Sequence, residues 1–229
     1  MCLCCGRPFP PAAAEFLRES VCRLCRVSFY AFDRARSFAV YDEALSKAVV
    51  LLKYEEVLPL GEWFASRLAE IVPRTAGGMD EWRADVVVPV PLHADRRRER
   101  GYNQAELIAR PLAARLHIKL EPRLLIRTRP RPSRLVLSRT EHWKSVRGAY
   151  AIAGEPKIDK LRILLIDDVL TTGATLDACS RTLKRAGAAA VMCLTVGRVK
   201  SGVDATGSSR KAQLGTPGKP ERKSQASKV

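Results

Sequence analysis

A chain of 229 residues, 46% of them apolar, has room for one medium domain with an appendage and enough apolar side chain for an ordinary core. Lys and Arg outnumber Asp and Glu by 40 to 24, a formal net charge of +16, which calls for an acidic partner such as nucleic acid, a polyphosphate or an anionic surface. No apolar run reaches the roughly 20 residues that span a bilayer, and cysteines interrupt the amino terminus where a signal peptide would be continuously apolar, so the expectation is a folded cytoplasmic protein.

Five of the seven cysteines fall in the first 25 residues. Cys2, Cys5, Cys22 and Cys25 form C-x2-C twice, sixteen residues apart. Two such turns brought together present four thiolates in the tetrahedral set that a structural zinc prefers in a reducing compartment. The alternatives are a disulfide pair, which a reducing cytosol disfavours, and a redox Cys-x-x-Cys, which opens a helix after a buried strand. Cys4 is a spare thiol or an alternative ligand. Residues 1–30 therefore read as a metal module, ahead of an α/β domain over 36–198.

Downstream, helix and strand periods alternate, the pattern of a parallel α/β sheet. Arg36 to Tyr41 reads as a strand, and Leu45, Ala48, Val49 and Leu52 recur at helical spacing before Lys53 and Tyr54. Pro59 opens a second helix with Leu60, Phe64, Leu68 and Ile71 inward and Trp63 at its edge, followed by a loop over 73–78. Asp85 to Val90 is a buried strand that stops where Pro89 and Pro91 remove backbone donors. Arg96, Arg97, Arg98 and Arg100 then fall in a loop at the carboxyl edge of the sheet, before a helix that Asn103 and Glu106 cap as a pair and Pro111 divides near Arg110. Charge and helix dipole favour an anion there, and these four arginines are candidates for contact with nucleic acid; the plainer reading is a solvated basic loop.

From Arg123 to Arg147 there are eight Lys or Arg and one acidic residue. Such a strip, with Arg129, Arg131, Arg134 and Trp143 in it, suits single-stranded nucleic acid, whose phosphates are neutralised while its bases stack on a ring. Trp143 reads equally as a core residue.

Residues 163–175, ILLIDDVLTTGAT, are the most informative stretch. Ile163 to Ile166 form a buried parallel strand, closed by Asp167 and Asp168 at the carboxyl end where open α/β sheets place their ligands. Thr171, Thr172, Gly173, Ala174 and Thr175 turn the chain into a helix and leave backbone N–H groups and hydroxyls for a phosphate. Acceptors for sugar hydroxyls thus lie beside donors for a phosphate; the bland alternative is an ordinary crossover with a polar turn. Leu176, Cys179, Leu183 and Ala186 share the inner face of the helix, Gly187 caps it, and Ala188 to Val196 completes a strand–helix–strand unit with Cys179 and Cys193 as core packing. Residues 199–229 carry seven basic and two acidic side chains among Gly, Ser and Pro, the composition of a disordered tail.

The Asp-Asp and Thr-Thr-Gly-x-Thr pattern resembles the signature of type I phosphoribosyltransferases, which bind 5-phosphoribosyl 1-pyrophosphate with magnesium. VPVPLHADRRRERGYNQAELIA, LSRTEHWKSVRGAY and the paired Cys-x-x-Cys turns narrow the resemblance, over residues 2 to 198, to the ComF family, phosphoribosyltransferase-like proteins linked to natural competence and DNA utilisation. The resemblance implies a parallel sheet flanked by helices with a small zinc ribbon-like module. It implies Asp167 and Asp168 on the ribose hydroxyls, Thr171 to Thr175 on the 5-phosphate, and Pro89, Val90, Pro91, Leu92 and His93 as the turn facing pyrophosphate. Lys53 and Tyr54 match a Lys-aromatic step of the family, and the segment before Arg147 corresponds to the hood of related transferases. Arg131, Arg134 and Ser145 depart from the family's usual Thr, Gln and Asn.

Two functions fit. One is a protein that binds phosphoribosyl pyrophosphate and contacts single-stranded DNA, with other competence or recombination proteins as partners. The other is an active transferase moving phosphoribose to a nitrogenous acceptor. The second needs a general base, for which His93 stands alone, and a lone loop histidine is more often simply exposed; the first is the reading adopted.

Overall fold

The computed structural model describes residues 1–9, 21–27, 29–72, 82–130 and 138–199. The expected loop over 73–78, Arg131, Arg134 and the tail from 200 onward lie outside these residues. In chain order the elements are α1 (Arg23–Arg26), β1 (Arg34–Val40), α2 (Glu43–Tyr54), α3 (Pro59–Ile71), β2 (Val86–Pro89), α4 (Ala94–Arg100), α5 (Gln104–Leu116), β3 (Lys119–Leu120), β4 (Leu125–Arg127), α6 (Arg139–Val146), β5 (Tyr150–Ile152), β6 (Arg162–Leu170), α7 (Ala174–Arg185) and β7 (Ala190–Arg198).

Five strands pair in the order β1-β7-β6-β2-β3, every pair parallel. The central strand β6 shows why the sheet needs cover on both faces. Ile163 and Leu165 point into an apolar cluster shared with α7 and with Cys2, Cys5 and Cys22, while Leu164 and Ile166 point into a second one built from α2, α3 and α5. Strand side chains alternate, so a register slip of one residue would exchange the two layers. Leu164 is 1% exposed, and its truncation to Ala is worth about 2–5 kcal/mol. β4 and β5 form a separate antiparallel pair, joined through α6. Among the described residues no helix is long and apolar enough to cross a membrane.

Three local expectations need correction. The arginines from Arg96 to Arg100 lie in helix α4 and not in a loop: His93 Nδ1 caps it by accepting from the Asp95 N–H, and Gly101, at φ 78°, ends it. Asn103 caps α5 through the Ala105 N–H, whereas Glu106 turns away to Arg97 and Arg110. Pro111 does not divide α5, which runs unbroken from Gln104 to Leu116. The carbonyl of Leu107, four residues before Pro111 and so left without its helical donor, faces Gly61 of α3, where an added Cβ would stand 2.9 Å from that oxygen. Close packing against a glycine supports the helix at the point where proline weakens it.

Candidate ligand site

β2 ends beside the middle of β6, just before the aspartates, because Val86–Pro89 pair in register with Ile163–Ile166 and the Val90 N–H donates to the Ile166 carbonyl at 2.8 Å. The turn from Pro89 to His93 therefore stands next to the aspartates, and Asn103 Nδ2 fixes it by donating to the Val90 carbonyl at 3.0 Å. The strand does not stop at the aspartates: β6 continues to Leu170, since β7 accompanies it as far as Arg198.

Asp167 and Asp168 are 8% and 5% exposed. The Asp168 N–H donates to Asp167 Oδ1 at 2.9 Å, Gln104 Nε2 reaches Asp168 Oδ1 at 3.4 Å, and Lys53 Nζ, from the last turn of α2, forms an ion pair with Asp168 Oδ2. Burial, then repulsion by Asp168, pushes the Asp167 carboxyl well above its ordinary range. Burial acts on Asp168 in the same sense, but the Lys53 ammonium and hydrogen bonds from Asp167, Lys53 and Gln104 hold it below that range. Lys53, which burial alone would push down, is raised by Asp168 and Asp167. The two carboxyls are thus pushed apart, burial favouring the neutral form of Asp167 and the Lys53 ammonium the charged form of Asp168.

Beside the pair, α7 starts from Gly173 at φ 83°, which supplies no side-chain cap, leaving the N–H groups of its first turn beyond Ala174 to an anion. The loop is braced from two directions. The Tyr30 hydroxyl donates to the Thr172 carbonyl at 3.2 Å, and Thr172 Oγ1 shares a 3.1 Å hydrogen bond with His142 Nδ1 of α6 while accepting from the Ala174 N–H at 3.2 Å. Thr171 is exposed, Thr172 and Thr175 are half-buried, and Ala174 is buried. Sequence reasoning missed Tyr30, His142 and Gln104. Gln104 lies inside the RGYNQAEL motif and His142 inside the hood segment, but nothing local marks their targets.

The Sγ atoms of Cys2, Cys5, Cys22 and Cys25 lie within 4.8 Å of one another, with Cys5 and Cys22 at 3.7 Å. A tetrahedral zinc bonded at about 2.3 Å spaces its sulfurs by about 3.8 Å, so this donor set fits a structural zinc. All seven thiols are free of disulfides. Cys4 stays outside the four; its carbonyl accepts from the Ala35 N–H and Arg36 Nη1. Buried arginines seat the module on the sheet, Arg36 Nη2 donating to the Leu3 carbonyl at 2.9 Å and Arg198 Nη1 to the Cys5 carbonyl at 2.5 Å. Magnesium prefers an octahedron of oxygens with ionised carboxylates, and Asp168 does not fit it: its Oδ2 is paired with the Lys53 ammonium and its Oδ1 accepts from Gln104 Nε2.

On α4 the expected anion-binding arginines are engaged. Arg96 pairs with Glu99 at 3.2 Å, Arg97 with Glu106 at 3.5 Å and Arg98 with Asp95 at 2.5 Å, while Arg100 donates to Gln104 Oε1 at 2.5 Å. Arg129 is spent on the Arg147 carbonyl at 3.3 Å. Trp143 is half-buried, edge-on to Phe29 with centroids 4.9 Å apart. With Lys144, Arg147, Arg181 and Arg185 these two rings line a cleft of about 500 Å³ between α6 and α7. Its one carboxylate, Asp177, accepts from the Ala31 N–H and from Arg181 Nε, each at 2.7 Å. Lys144, Arg147 and Arg185 have no ion-pair partner among the described residues.

A family model described as the phosphoribosyl transferase domain matches residues 103–209. Competence protein F of Haemophilus influenzae is 27% identical over 168 residues, 72% of this chain and 73% of that protein. DNA utilization protein YhgH of Escherichia coli is 34% identical over 107 residues, 47% of this chain, so that the match spans only 46% of that relative's length. Competence protein ComFC of Bacillus subtilis is 28% identical over 207 residues, 83% of this chain and 74% of that protein.

Proposed function

We propose that the chain is a phosphoribosyltransferase-like protein of the ComF family, that it binds 5-phosphoribosyl 1-pyrophosphate at Asp167, Asp168 and the loop from Thr171 to Thr175, and that it handles single-stranded DNA in competence or DNA utilisation. The observation that carries the first half is a buried carboxyl pair beside a helix N-terminus at one sheet edge. Asp168, whose charged form Lys53 favours, offers an acceptor to a hydroxyl, and Asp167, whose neutral form burial favours, offers in that form both a donor and an acceptor, which suits a vicinal diol. The N–H groups of α7 and the threonine hydroxyls receive the 5-phosphate, and the turn from Pro89 to His93 faces the diphosphate. Zinc on the four cysteines holds the amino-terminal module.

Support for the DNA half comes from the competence and DNA-utilization names of the relatives and from three uncompensated cations around Trp143. Transferase chemistry has the weaker support: His93 Nδ1 is taken by the cap of α4 and His142 Nδ1 by Thr172, so both histidines near the site serve its scaffold. Calorimetry tests the ligand. Asp167→Asn with Asp168→Asn should abolish binding of phosphoribosyl pyrophosphate with the fold intact, since each charge-assisted hydrogen bond is worth about 1.5–3 kcal/mol. Unchanged affinity in the double variant removes the assignment.

A further inference from the structure

Lys53 and its surroundings form a closed ring. Lys53 Nζ pairs with Asp168 Oδ2, Asp168 Oδ1 takes Gln104 Nε2, and Gln104 Oε1 takes Arg100 Nη1 at 2.5 Å. The Arg100 guanidinium lies 5.0 Å from the centroid of Tyr54, the residue bonded to Lys53. The Tyr102 hydroxyl ties the same helix end by donating to the Leu52 carbonyl at 2.5 Å. Three stretches far apart in the chain thus converge to hold one ammonium on one carboxylate. A lysine side chain so placed, largely buried at its head, is no freely swinging surface cation.

We propose that Lys53 is the resident cation of the aspartate pair, filling at Asp168 the place a divalent ion would otherwise take, so that the sugar hydroxyls bind without a metal and magnesium enters only on the diphosphate of the ligand. The proposal rests on the phosphoribosyl reading for its ligand, but not for its charge balance. A hard divalent cation is held by accumulated, open carboxylate oxygens, and here the Lys53 ammonium already sits on Asp168 Oδ2 while Gln104 Nε2 takes Oδ1, so the place of a second cation on that carboxylate is filled. A diol needs only an acceptor and a donor. The ring has a further use: Tyr54 and Arg100 keep Gln104 and Lys53 apart on separate oxygens of Asp168, so the carboxylate plane is fixed before a sugar arrives.

The experiment uses the full chain and two probes. In calorimetry with ribose 5-phosphate, which has the diol and the phosphate but no diphosphate, the unaltered protein should bind equally well in excess EDTA and in excess magnesium. Lys53→Met should lose affinity in EDTA by about tenfold or more and recover it when magnesium is added. In titrations with manganese alone, read by electron paramagnetic resonance, the unaltered protein should take up no ion that Asp168→Asn removes, whereas Lys53→Met should gain one. A magnesium requirement for ribose 5-phosphate in the unaltered protein, or manganese uptake by it that depends on Asp168, overturns the proposal even if the Lys53 variant does not fold. Absence of sugar phosphate binding under both conditions defeats the phosphoribosyl reading instead, and the manganese titration still decides the role of Lys53.

Discussion

Gly173→Ala offers a sharp probe of how the loop proposed to take the 5-phosphate is held. Gly173 sits at φ 83°, and a Cβ there would lie 2.6 Å from Tyr30 Cε1, well inside the 3.4–4 Å of ordinary contact. The left-handed backbone costs an L-residue about 1–2 kcal/mol. Moving the ring away also releases the hydrogen bond from the Tyr30 hydroxyl to the Thr172 carbonyl, a further 0.5–1.5 kcal/mol or so. Together these put the loss of stability at about 1.5–3.5 kcal/mol, measurable by urea denaturation. Affinity for phosphoribosyl pyrophosphate should fall with it, because the first turn of α7 shifts with the loop. Tyr30→Ala in the same chain removes the overlap and leaves the backbone strain, so the double variant should lose less than the two single losses added together. Stability of Gly173→Ala within about 0.5 kcal/mol of the parent, or strict additivity in the double variant, would refute the close approach of ring and loop.

Elemental analysis should find one zinc per chain, lost in Cys22→Ser; zinc undiminished in that variant removes the metal site. Charge reversal at Lys144, Arg147 and Arg185 should weaken binding of an oligothymidylate and lower its salt slope by about 2, at about 0.7 per phosphate neutralised, with ligand calorimetry unchanged; an unaltered slope places the DNA surface elsewhere. The pH dependence of Lys53→Met has a definite sign. Asp168, held below the ordinary 3.8, adds stability that is present above that value and lost as pH falls through its folded value. Lys53, raised above 10.5, adds stability that is present below that value and lost as pH rises through its folded value. Asp167 is raised first by burial, which the substitution leaves in place. Without Lys53, burial is free to raise Asp168 and Asp167, so the stability deficit of Lys53→Met should be greatest between the two ends, shrink steadily towards acid as these carboxyls protonate and shrink again above about pH 10 as Lys53 would lose its proton; a deficit that grows in acid contradicts the ion pair.

What could be read from residues 163–175 and what could not divides by range. The apolar run, the two aspartates and the small hydroxylic turn follow local rules, so β6, the start of α7 and the neighbourhood of Asp167 were legible. The spacing of Cys2, Cys5, Cys22 and Cys25 was legible for the same reason, and their sulfurs do converge. Pro111 misled because the compensating partner, Gly61, lies on another helix. The arginines of α4 were seen as charge alone, although Asp95 and Glu99 at helical spacing were already in the sequence to neutralise them. Tyr30 and Thr172 are 142 residues apart, and no periodicity announces such a contact. Lys53 was visible only as part of a family pattern; its partner emerges when α2, α5 and β6 meet.

The segment between Cys25 and β1 has a thermodynamic consequence. Tyr30 touches the phosphate loop, the Ala31 N–H is bound by Asp177, and the Phe29 carbonyl accepts from Arg181 Nη2 at 3.2 Å, so the chain leaving the thiol cluster is stitched to the first two turns of α7. An ion bound by the thiols would then stabilise the loop proposed to take the 5-phosphate, and that coupling would run both ways by the same factor. Sugar phosphate should slow the escape of metal to a chelator, and oxidising the thiols should weaken sugar phosphate binding, with no atom of one ligand touching the other.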